Sequence, residues 1–313
     1  TTPSIGISLC PRDAQDVETL IKYADTAMYA AKAKGGGRFQ YFASEMNLAA
    51  TERLRIECRL REAMDQGLLA LHYQPTIDMA GRLTGLEALL RWEAEGASSM
   101  LPAQFIAIAE ESGLIDEIGD WVLVAVCRQL RAWLDDGIRP PRVAINLSTR
   151  QLRQHDLAMR VARRLNEAAV APDLLEFEVT ETAAMENPDT AARRLGELGA
   201  MGVTLSIDDF GSGYSSLSHL RSLPLDALKI DRSFVRDIAS DANDLAIARG
   251  TIALAHSLGL RVVAGGVETV AQWQLLRDHG CDEVQGYLIA RPAPAEALAG
   301  ILSMGRISLP LPG

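Results

Sequence analysis

From residue 68 onwards, short apolar runs alternate with stretches that carry one apolar face at helical spacing. Nearly continuous apolar strands joined by helices indicate a parallel sheet that is covered on its outer face. Eight such runs predict an α/β fold, a closed (β/α)8 TIM-like barrel. The runs are LALHYQPTID, RLTGLEALLRW, RVAINLS, LLEFEVTE, VTLSIDDFG, ALKIDRSF, RVVAGGVE and EVQGYLIARP, and the helices between them are predicted over 121–134, 155–169, 188–201, 242–258 and 270–278.

The first two runs depart from a regular barrel, because only the short turn 78–81 separates them. A turn this short makes a hairpin rather than a helical crossover. We therefore expect one barrel strand to run antiparallel to its neighbour.

The first 67 residues have a different pattern. Residues 1–42 read as a strand, an amphipathic helix and a second short strand, which is too little for a complete domain. Residues 43–67 read as a helical linker, for which an ordinary amphipathic helix packed on a neighbour is favoured over a signalling coiled coil. The predicted organisation is a small α/β remnant over 1–42, the linker over 43–67 and the barrel domain over 68–313.

Composition narrows the possible environments and partners. The 313 residues are 48% hydrophobic, yet no apolar run is long enough to span a membrane, and no signal peptide is visible. The first residue is not Met, so we expect the chain to be a fragment that has lost its upstream context. The net charge of −10 disfavours a duplex nucleic acid partner. Four scattered cysteines indicate a reducing, cytoplasmic setting and argue against thiolate-bound zinc.

Polar side chains occur in or at the end of seven of the eight runs, and barrel closure would bring them to one mouth. Alone, each has a simpler explanation, such as a helix cap for Asn146 or a solvated strand end for Glu178. Together, their oxygen atoms suit Mg²⁺, Mn²⁺ or Ca²⁺. Lys229 would orient a water or offset developing charge, with a plain salt bridge as the alternative. The set is Glu87, Asn146, Glu178, Asp208, Asp209, Lys229, Glu268 and Gln285.

The stretch 203–217 ends an apolar run in two adjacent aspartates, Asp208 and Asp209. Neighbouring residues of a regular strand point to opposite faces, so the chain must bend if both are to reach one site. Gly211 and Gly213 would permit that bend. Two cations ~3.5–4 Å apart are the usual device for displacement at a phosphodiester. The alternative is an acidic turn that caps the next helix.

Eight motifs in order carry a family resemblance: YQPTID, EALLRW, FIAIAEESGLI, INLS, EVTET, DDFGSGYSSL, LKIDRSFV and QGYLIARP. Residues 68 to about 303 resemble a complete EAL domain of the cyclic di-GMP phosphodiesterase family. The resemblance implies hydrolysis of cyclic di-GMP to linear pGpG with Mg²⁺ or Mn²⁺ in a two-metal site, and a homodimer. Residues 1–42 resemble the C-terminal end of a GGDEF (diguanylate cyclase) domain without its signature loop, which implies that this chain makes no cyclic di-GMP by itself.

The resemblance also implies roles for individual residues. The first cation would be held by Glu87, Asn146, Glu178 and Asp208, and the second by Asp208 and Asp209. Lys229 would contact the attacking water, Glu181 would hold the 209–216 loop, and Gln285 would support the water shell of the metal. The nucleotide would be contacted by Gln74, Leu89, Arg91 and, as a weaker candidate, Asp231.

One position departs from the family pattern. The seventh run contains AGGVET where the family usually has AEGVET, so Gly265 stands at the place of a glutamate. That glutamate is assigned to the second metal or to proton transfer, and a glycine can do neither. The first hypothesis is therefore an attenuated phosphodiesterase, in which Glu268 or a hydroxide could take over. The second is a cyclic di-GMP receptor that does not hydrolyse its ligand, and a distant third is an unrelated barrel hydrolase acting, for example, on sugars.

Overall fold

A computed structural model describes residues 2–33, 36–93, 102–211, 213 and 217–308. The chain forms two compact units, one of residues 1–67 with 103–112 and one of residues 68–102 with 113–313. Within the described ranges, no helix combines the length and the apolar character that crossing a bilayer requires.

The first unit contains a two-stranded parallel sheet in which Ile5 lies opposite Phe39. Helix α1 packs directly on this sheet at Gly6, where an added Cβ would lie 1.8 Å from the carbonyl oxygen of Ala24. The glycine therefore permits a close approach of helix to strand. The elements are β1 (Ile5–Ile7), α1 (Val17–Ala33), β2 (Phe39–Tyr41), α2 (Ser44–Asp65) and α3 (Pro102–Ser112).

The second unit is a closed eight-stranded barrel, as the sequence predicts. Its strands are β3 (Leu69–Asp78), β4 (Leu83–Trp92), β5 (Arg142–Leu147), β6 (Leu175–Thr180), β7 (Thr204–Phe210), β8 (Ala227–Ile230), β9 (Arg261–Ala264) and β10 (Glu283–Gln285). Strand β3 runs antiparallel to both of its neighbours, β4 and β10, and every other neighbouring pair is parallel. The predicted hairpin is confirmed, and the antiparallel strand is the first one.

Helices surround the barrel, and the outward residues of the strands form the core between the two layers. On β6, for example, Leu175, Phe177 and Val179 are all buried, while the alternate residues face the interior of the barrel. The helices are α4 (Ile115–Asp135), α5 (Thr149–Leu152), α6 (Leu157–Ala168), α7 (Glu181–Glu186), α8 (Pro188–Gly199), α9 (Leu217–Ser222), α10 (Arg232–Arg236), α11 (Ala242–Ser257), α12 (Val270–Asp278) and α13 (Ala299–Met304).

Candidate active site

Lys229 lies inside the barrel between carboxylates from three other strands. Its Nζ atom is 2.8 Å from Glu87 Oε2, 3.0 Å from Glu178 Oε2 and 3.6 Å from Asp208 Oδ2. Lys229, Glu87 and Glu178 are all less than a tenth exposed. An ammonium group surrounded by buried acids is the arrangement that compensates their charges most directly.

Glu87 receives hydrogen bonds from two amides as well. Asn146 Nδ2 donates to Glu87 Oε1 at 2.8 Å, and Gln285 Nε2 donates to Glu87 Oε2 at 2.8 Å. Gln285 also lies 3.4 Å from Gln74 Oε1, and Gln74 Nε2 donates to the carbonyl oxygen of Ala290. Side chains from four strands, together with the segment after β10, thus fix the orientation of the Glu87 carboxylate.

The pKa values of the carboxyl groups in the cluster are shifted in different directions. Burial would raise the pKa of Glu87, but Lys229 and the two amides hold it below its usual value. Burial and the neighbouring charge of Glu87 raise the pKa of Glu178 well above its usual value. Burial also raises the pKa of Asp208. Additional positive charge would favour the ionised form of the two acids whose pKa is raised.

The same three carboxylates fit a cation. The ligand atoms of Glu87, Glu178 and Asp208 lie within 4.8 Å of one another, and Asn146 adds an exposed amide at the same mouth. These donors are all oxygens, which hard divalent cations prefer. The excess negative charge and the donor type both agree with a metal site.

The second aspartate reaches the mouth because the strand is irregular there. Asp209 has φ +54°, a left-handed conformation, and the pairing of β7 with β8 shifts between Ile207 and Phe210. The predicted bend at the aspartate pair is confirmed: it begins at Asp209 itself and continues through Gly211 at φ +97°. The backbone N–H of Asp209 donates to Asp208 Oδ1 at 2.8 Å, which stabilises this turn.

Asp209 forms a carboxyl pair with Asp231. Burial, the charge of Asp208 and the hydrogen bond with Asp231 raise the pKa of Asp209 to about 7. Asp231 also caps α10, because its Oδ1 accepts the N–H of Ser233 at 2.8 Å. Its placement beside Asp209 puts it at the mouth, where the resemblance expects a ligand contact.

Gly265 is buried beside Lys229. A Cβ built there would lie 3.8 Å from Lys229 Cε and 3.5 Å from the carbonyl oxygen of Ile230, which are ordinary contacts. The next residue is different: Gly266 has φ +76°, and a Cβ there would lie 2.7 Å from Arg232 Cβ. A Cβ is thus accommodated at residue 265 and not at residue 266.

Glu268 has a different environment from the buried acids of the cluster. Its side chain is exposed, and its backbone N–H donates to Gln272 Oε1 at 2.7 Å, in the cap of α12. Within the part of the chain that the structure describes, its carboxylate makes no hydrogen bond or ion pair. Among the described residues, the ion pairs of Lys229 are with Glu87, Glu178 and Asp208 and not with Glu268.

The remaining predicted residues lie around the mouth. Leu89 and Arg91 are half-buried on β4, two and four residues after Glu87. Glu181 is buried at the start of α7, and its Oε2 accepts the N–H of Gly211 at 2.7 Å. It therefore fixes the beginning of the predicted 209–216 loop, of which residues 212 and 214–216 lie outside the described residues.

A second buried ionic group was not anticipated from the sequence. Arg142 bonds to Glu176 and Glu283, and Arg261 also bonds to Glu283, near the beginnings of their strands. The alternation of inward and outward side chains along a strand is the signal from which this ionic group could have been predicted. Glu176 is two residues before Glu178, and Glu283 is two residues before Gln285, so each pair lies on the same face of its strand.

The fold and the site together define a class of protein. It is a TIM-like barrel with an acidic, oxygen-donor site and a buried lysine at the carboxyl ends of its strands. The chain belongs to the EAL domain family, which matches residues 57–292, and residues 1–38 match the diguanylate cyclase GGDEF domain. Both family predictions are confirmed.

Among curated proteins, two from Pseudomonas aeruginosa are similar over nearly the whole chain. The bifunctional diguanylate cyclase/cyclic di-GMP phosphodiesterase MucR is 46% identical over 94% of this chain and 43% of its own length. The cyclic di-GMP phosphodiesterase NbdA is 45% identical over 96% of this chain and 39% of its own length. The chain thus spans less than half the length of these relatives.

A solved structure, the PaMucR phosphodiesterase in complex with c-di-GMP, is 45% identical to the chain with a TM-score of 0.76. The match covers 78% of this chain and 99% of the other. The phosphodiesterase part of that protein and the barrel described above therefore have the same fold.

Proposed function

We propose that the barrel hydrolyses cyclic di-GMP to linear pGpG in a reaction that depends on Mg²⁺ or Mn²⁺, with a rate lowered by Gly265. The observation that carries this proposal is the trio of carboxylates around Lys229, two of them buried and one half-buried. The family supplies the reaction class, and two similar proteins have cyclic di-GMP phosphodiesterase in their names.

Each residue has a role that its position supports. Glu87, Asn146, Glu178 and Asp208 would hold one cation, and Asp208 with Asp209 a second. Bound divalent cations supply Lewis-acid polarisation of the phosphodiester and lower the pKa of a water nucleophile. Lys229 would orient that water and stabilise negative charge that develops during displacement. Gln74, Leu89, Arg91 and Asp231 would contact the dinucleotide, Arg91 through a phosphate oxygen.

Two supporting roles complete the proposed site. Gln285 orients Glu87 through its 2.8 Å hydrogen bond and would support the water shell of the cation. Glu181 would keep the 209–216 loop in place through Gly211. A homodimer through the barrel and a cytoplasmic location are expected from the resemblance and from the cysteine pattern, and sedimentation of the chain would test the dimer.

Restoring the missing carboxylate tests the proposal. A Cβ at residue 265 makes only ordinary contacts and lies beside Lys229, so Gly265→Glu is expected to raise the turnover of cyclic di-GMP with Mn²⁺. General-base assistance is typically worth ~10²–10⁴-fold in rate. Conversion to pGpG should be followed by product chromatography, beside the unaltered chain.

Gly265→Gln is the matched control, because it has the same shape without the negative charge. It should leave the rate near that of the unaltered chain. Equal rates for the Glu, Gln and Gly forms would refute the role assigned to this position.

The alternative is a receptor that binds cyclic di-GMP without cutting it. Gly265 favours this alternative, whereas the retained Lys229 and Asp209 favour catalysis. Calorimetry with and without Mg²⁺, together with chromatography after long incubation, separates the two. Tight binding without any product identifies a receptor.

A further inference from the structure

The beginning of β3 has a neighbouring strand on one side only. Backbone groups of successive strand residues face opposite sides, so each residue bonds to one neighbour or to the other. The carbonyl oxygen of Leu68 accepts the N–H of Glu93 at 2.9 Å, on the side of β4. Tyr73 faces the other side, where it exchanges hydrogen bonds of 2.7 and 3.1 Å with Ala293. Odd-numbered residues in this part of β3 therefore face away from β4.

Leu69 and Leu71 face the same side as Tyr73, but the chain beside them has left the sheet. The segment that pairs with Tyr73 reaches Pro294, which precedes the helical turn 295–298. Among the residues that the structure describes, none bonds to the N–H or carbonyl groups of Leu69 and Leu71 on this side. Two donors and two acceptors remain available, and such an edge is a template for pairing with another strand.

A groove of about 350 Å³ lies along this edge. Its other wall is one face of α4, where Trp121, Ala125 and Gln129 follow one another at intervals of four residues and are half-buried. Ligand sites in proteins typically have volumes of ~300–1,000 Å³, so the groove has room for a short segment. An open strand edge beside an aromatic wall is suited to an extended peptide that binds by strand addition.

The charge of the groove indicates the chemistry of its partner. Glu93 and Glu296 line the groove, and both are exposed. Within the described ranges, neither carboxylate makes a hydrogen bond or an ion pair, and the residues that line the groove include no lysine or arginine. Two uncompensated acids favour a segment that carries basic side chains.

We propose that the open edge of β3 is a docking site for an extended, basic segment of a partner protein, which adds as a strand beside Leu69 and Leu71. Backbone hydrogen bonds to the edge supply affinity, and Glu93 and Glu296 select basic side chains. None of the residues that line the groove belongs to the carboxylate cluster. The proposal therefore goes beyond the proposed hydrolysis and does not depend on it.

The test measures binding of labelled hexapeptides to the unaltered chain by fluorescence anisotropy. The probe is a capped peptide of alternating lysine and valine, which has the alternating pattern of a strand. The same peptide with glutamate in place of lysine should not bind, because Glu93 and Glu296 repel it. A lysine–valine peptide with methylated backbone nitrogens keeps its charge but loses its donors, so its affinity should be about tenfold lower or less.

Substitutions at Leu71 test the edge itself. Proline is tolerated in an edge strand where the N–H faces outwards, but it removes that donor. Leu71→Pro should therefore weaken binding of the lysine–valine peptide about tenfold. Leu71→Val is the matched control, because valine is similar in size to proline and keeps the N–H. It should retain most of the affinity.

Non-specific attraction must be separated from docking, because a chain of net charge −10 attracts basic peptides. The double variant Glu93→Gln, Glu296→Gln should bind the lysine–valine peptide several-fold more weakly. The double variant Asp173→Asn, Asp189→Asn removes two exposed acids elsewhere and should leave the affinity unchanged.

Three outcomes would overturn the proposal. The first is that the lysine–valine peptide does not bind, or that its methylated form binds equally well, a result that needs no protein variant. The second is an unchanged affinity in folded Leu71→Pro. The third is self-association of the unaltered chain in sedimentation that Leu71→Pro abolishes, which would assign the edge to a second copy of this chain.

Discussion

Asp209 has a backbone conformation that few residues other than glycine adopt. Its φ of +54° costs a residue with a side chain roughly 1–2 kcal/mol. The conformation turns the chain at the end of β7, so that Asp208 and Asp209 both serve the mouth although they are neighbours. Strain of this kind is characteristic of functional sites.

Replacing Asp209 by glycine and by alanine measures this strain. Both changes remove the carboxylate, so they differ only in backbone preference. Asp209→Gly should be more stable than Asp209→Ala by about 1 kcal/mol, which reverses the usual order. Urea unfolding followed by tryptophan fluorescence reports on the barrel, because Trp92, Trp121, Trp133 and Trp273 all belong to it.

The same pair of substitutions at Asp208 provides the control. Asp208 lies in β7 without a positive φ, so alanine should be the more stable of the two there. An equal preference for alanine at both positions would show that Asp209 is not strained.

At the scale of single residues, the sequence predicted which residue types form the site better than it predicted their backbone geometry. The acids, the amide of Asn146 and Lys229 were found because each ends or interrupts an apolar run. The bend at the aspartate pair was predicted, but the glycines after it were expected to permit it, because sequence rules treat a positive φ as a property of glycine. Asp209 itself has a positive φ. Glu268 was grouped with the site by its place after a strand, but its backbone belongs to the cap of α12.

Helix α6 ends at a residue whose conformation does not suit it. Ala169 follows the helix with φ +51°, where glycine is normally found. Its carbonyl oxygen accepts a hydrogen bond from Arg131, so the backbone position is fixed from outside. Ala169 therefore has a conformational free-energy cost that a glycine at this position would not have.

Ala169→Gly should stabilise the barrel by about 1 kcal/mol, because glycine adopts this conformation without strain. Ala162→Gly, in the interior of the same helix, should destabilise it by about 1 kcal/mol. Urea midpoints that shift in opposite directions would confirm the expectation. A loss of stability in both variants would contradict it.

The strands were predictable because each is a nearly continuous apolar run, and the hairpin was predictable because the turn of 78–81 is too short for a helix. The second buried ionic group, formed by Arg142, Glu176, Arg261 and Glu283, was not predictable, because a charge near the beginning of a strand resembles a loop residue. Its partners lie far apart in the chain: Arg142 and Glu283 are separated by 141 positions, and only barrel closure brings them together.

At the scale of the whole molecule, the excess of buried acid links stability to cations. A ligand that binds only the folded protein stabilises it by about 2.7 kcal/mol at a concentration of 100 times its Kd. Saturating Mn²⁺ should therefore raise the unfolding temperature of the chain, and EDTA should reverse the effect. Differential scanning calorimetry in both conditions measures the shift.

Non-specific binding to a chain of net charge −10 must be separated from binding at the site. Asp208→Asn should lose most of the shift, while Asp173→Asn, at an exposed position, should keep it. A shift of the same size in both variants would place the cation elsewhere.

The direction of β3 decides where the polypeptide enters the barrel. Because β3 is antiparallel, its first residue, Leu69, lies opposite Trp92 at the carboxyl end of β4, which is the end that holds the site. In an all-parallel barrel, the first strand would begin at the far end. Tension on the chain before Leu69 would thus act at the end of the barrel that holds the site. It would act on the strand in which Gln74 lies opposite Glu87. Gln74 follows Leu69 by five positions, so a single strand joins the point where the chain enters the barrel to the neighbour of Glu87.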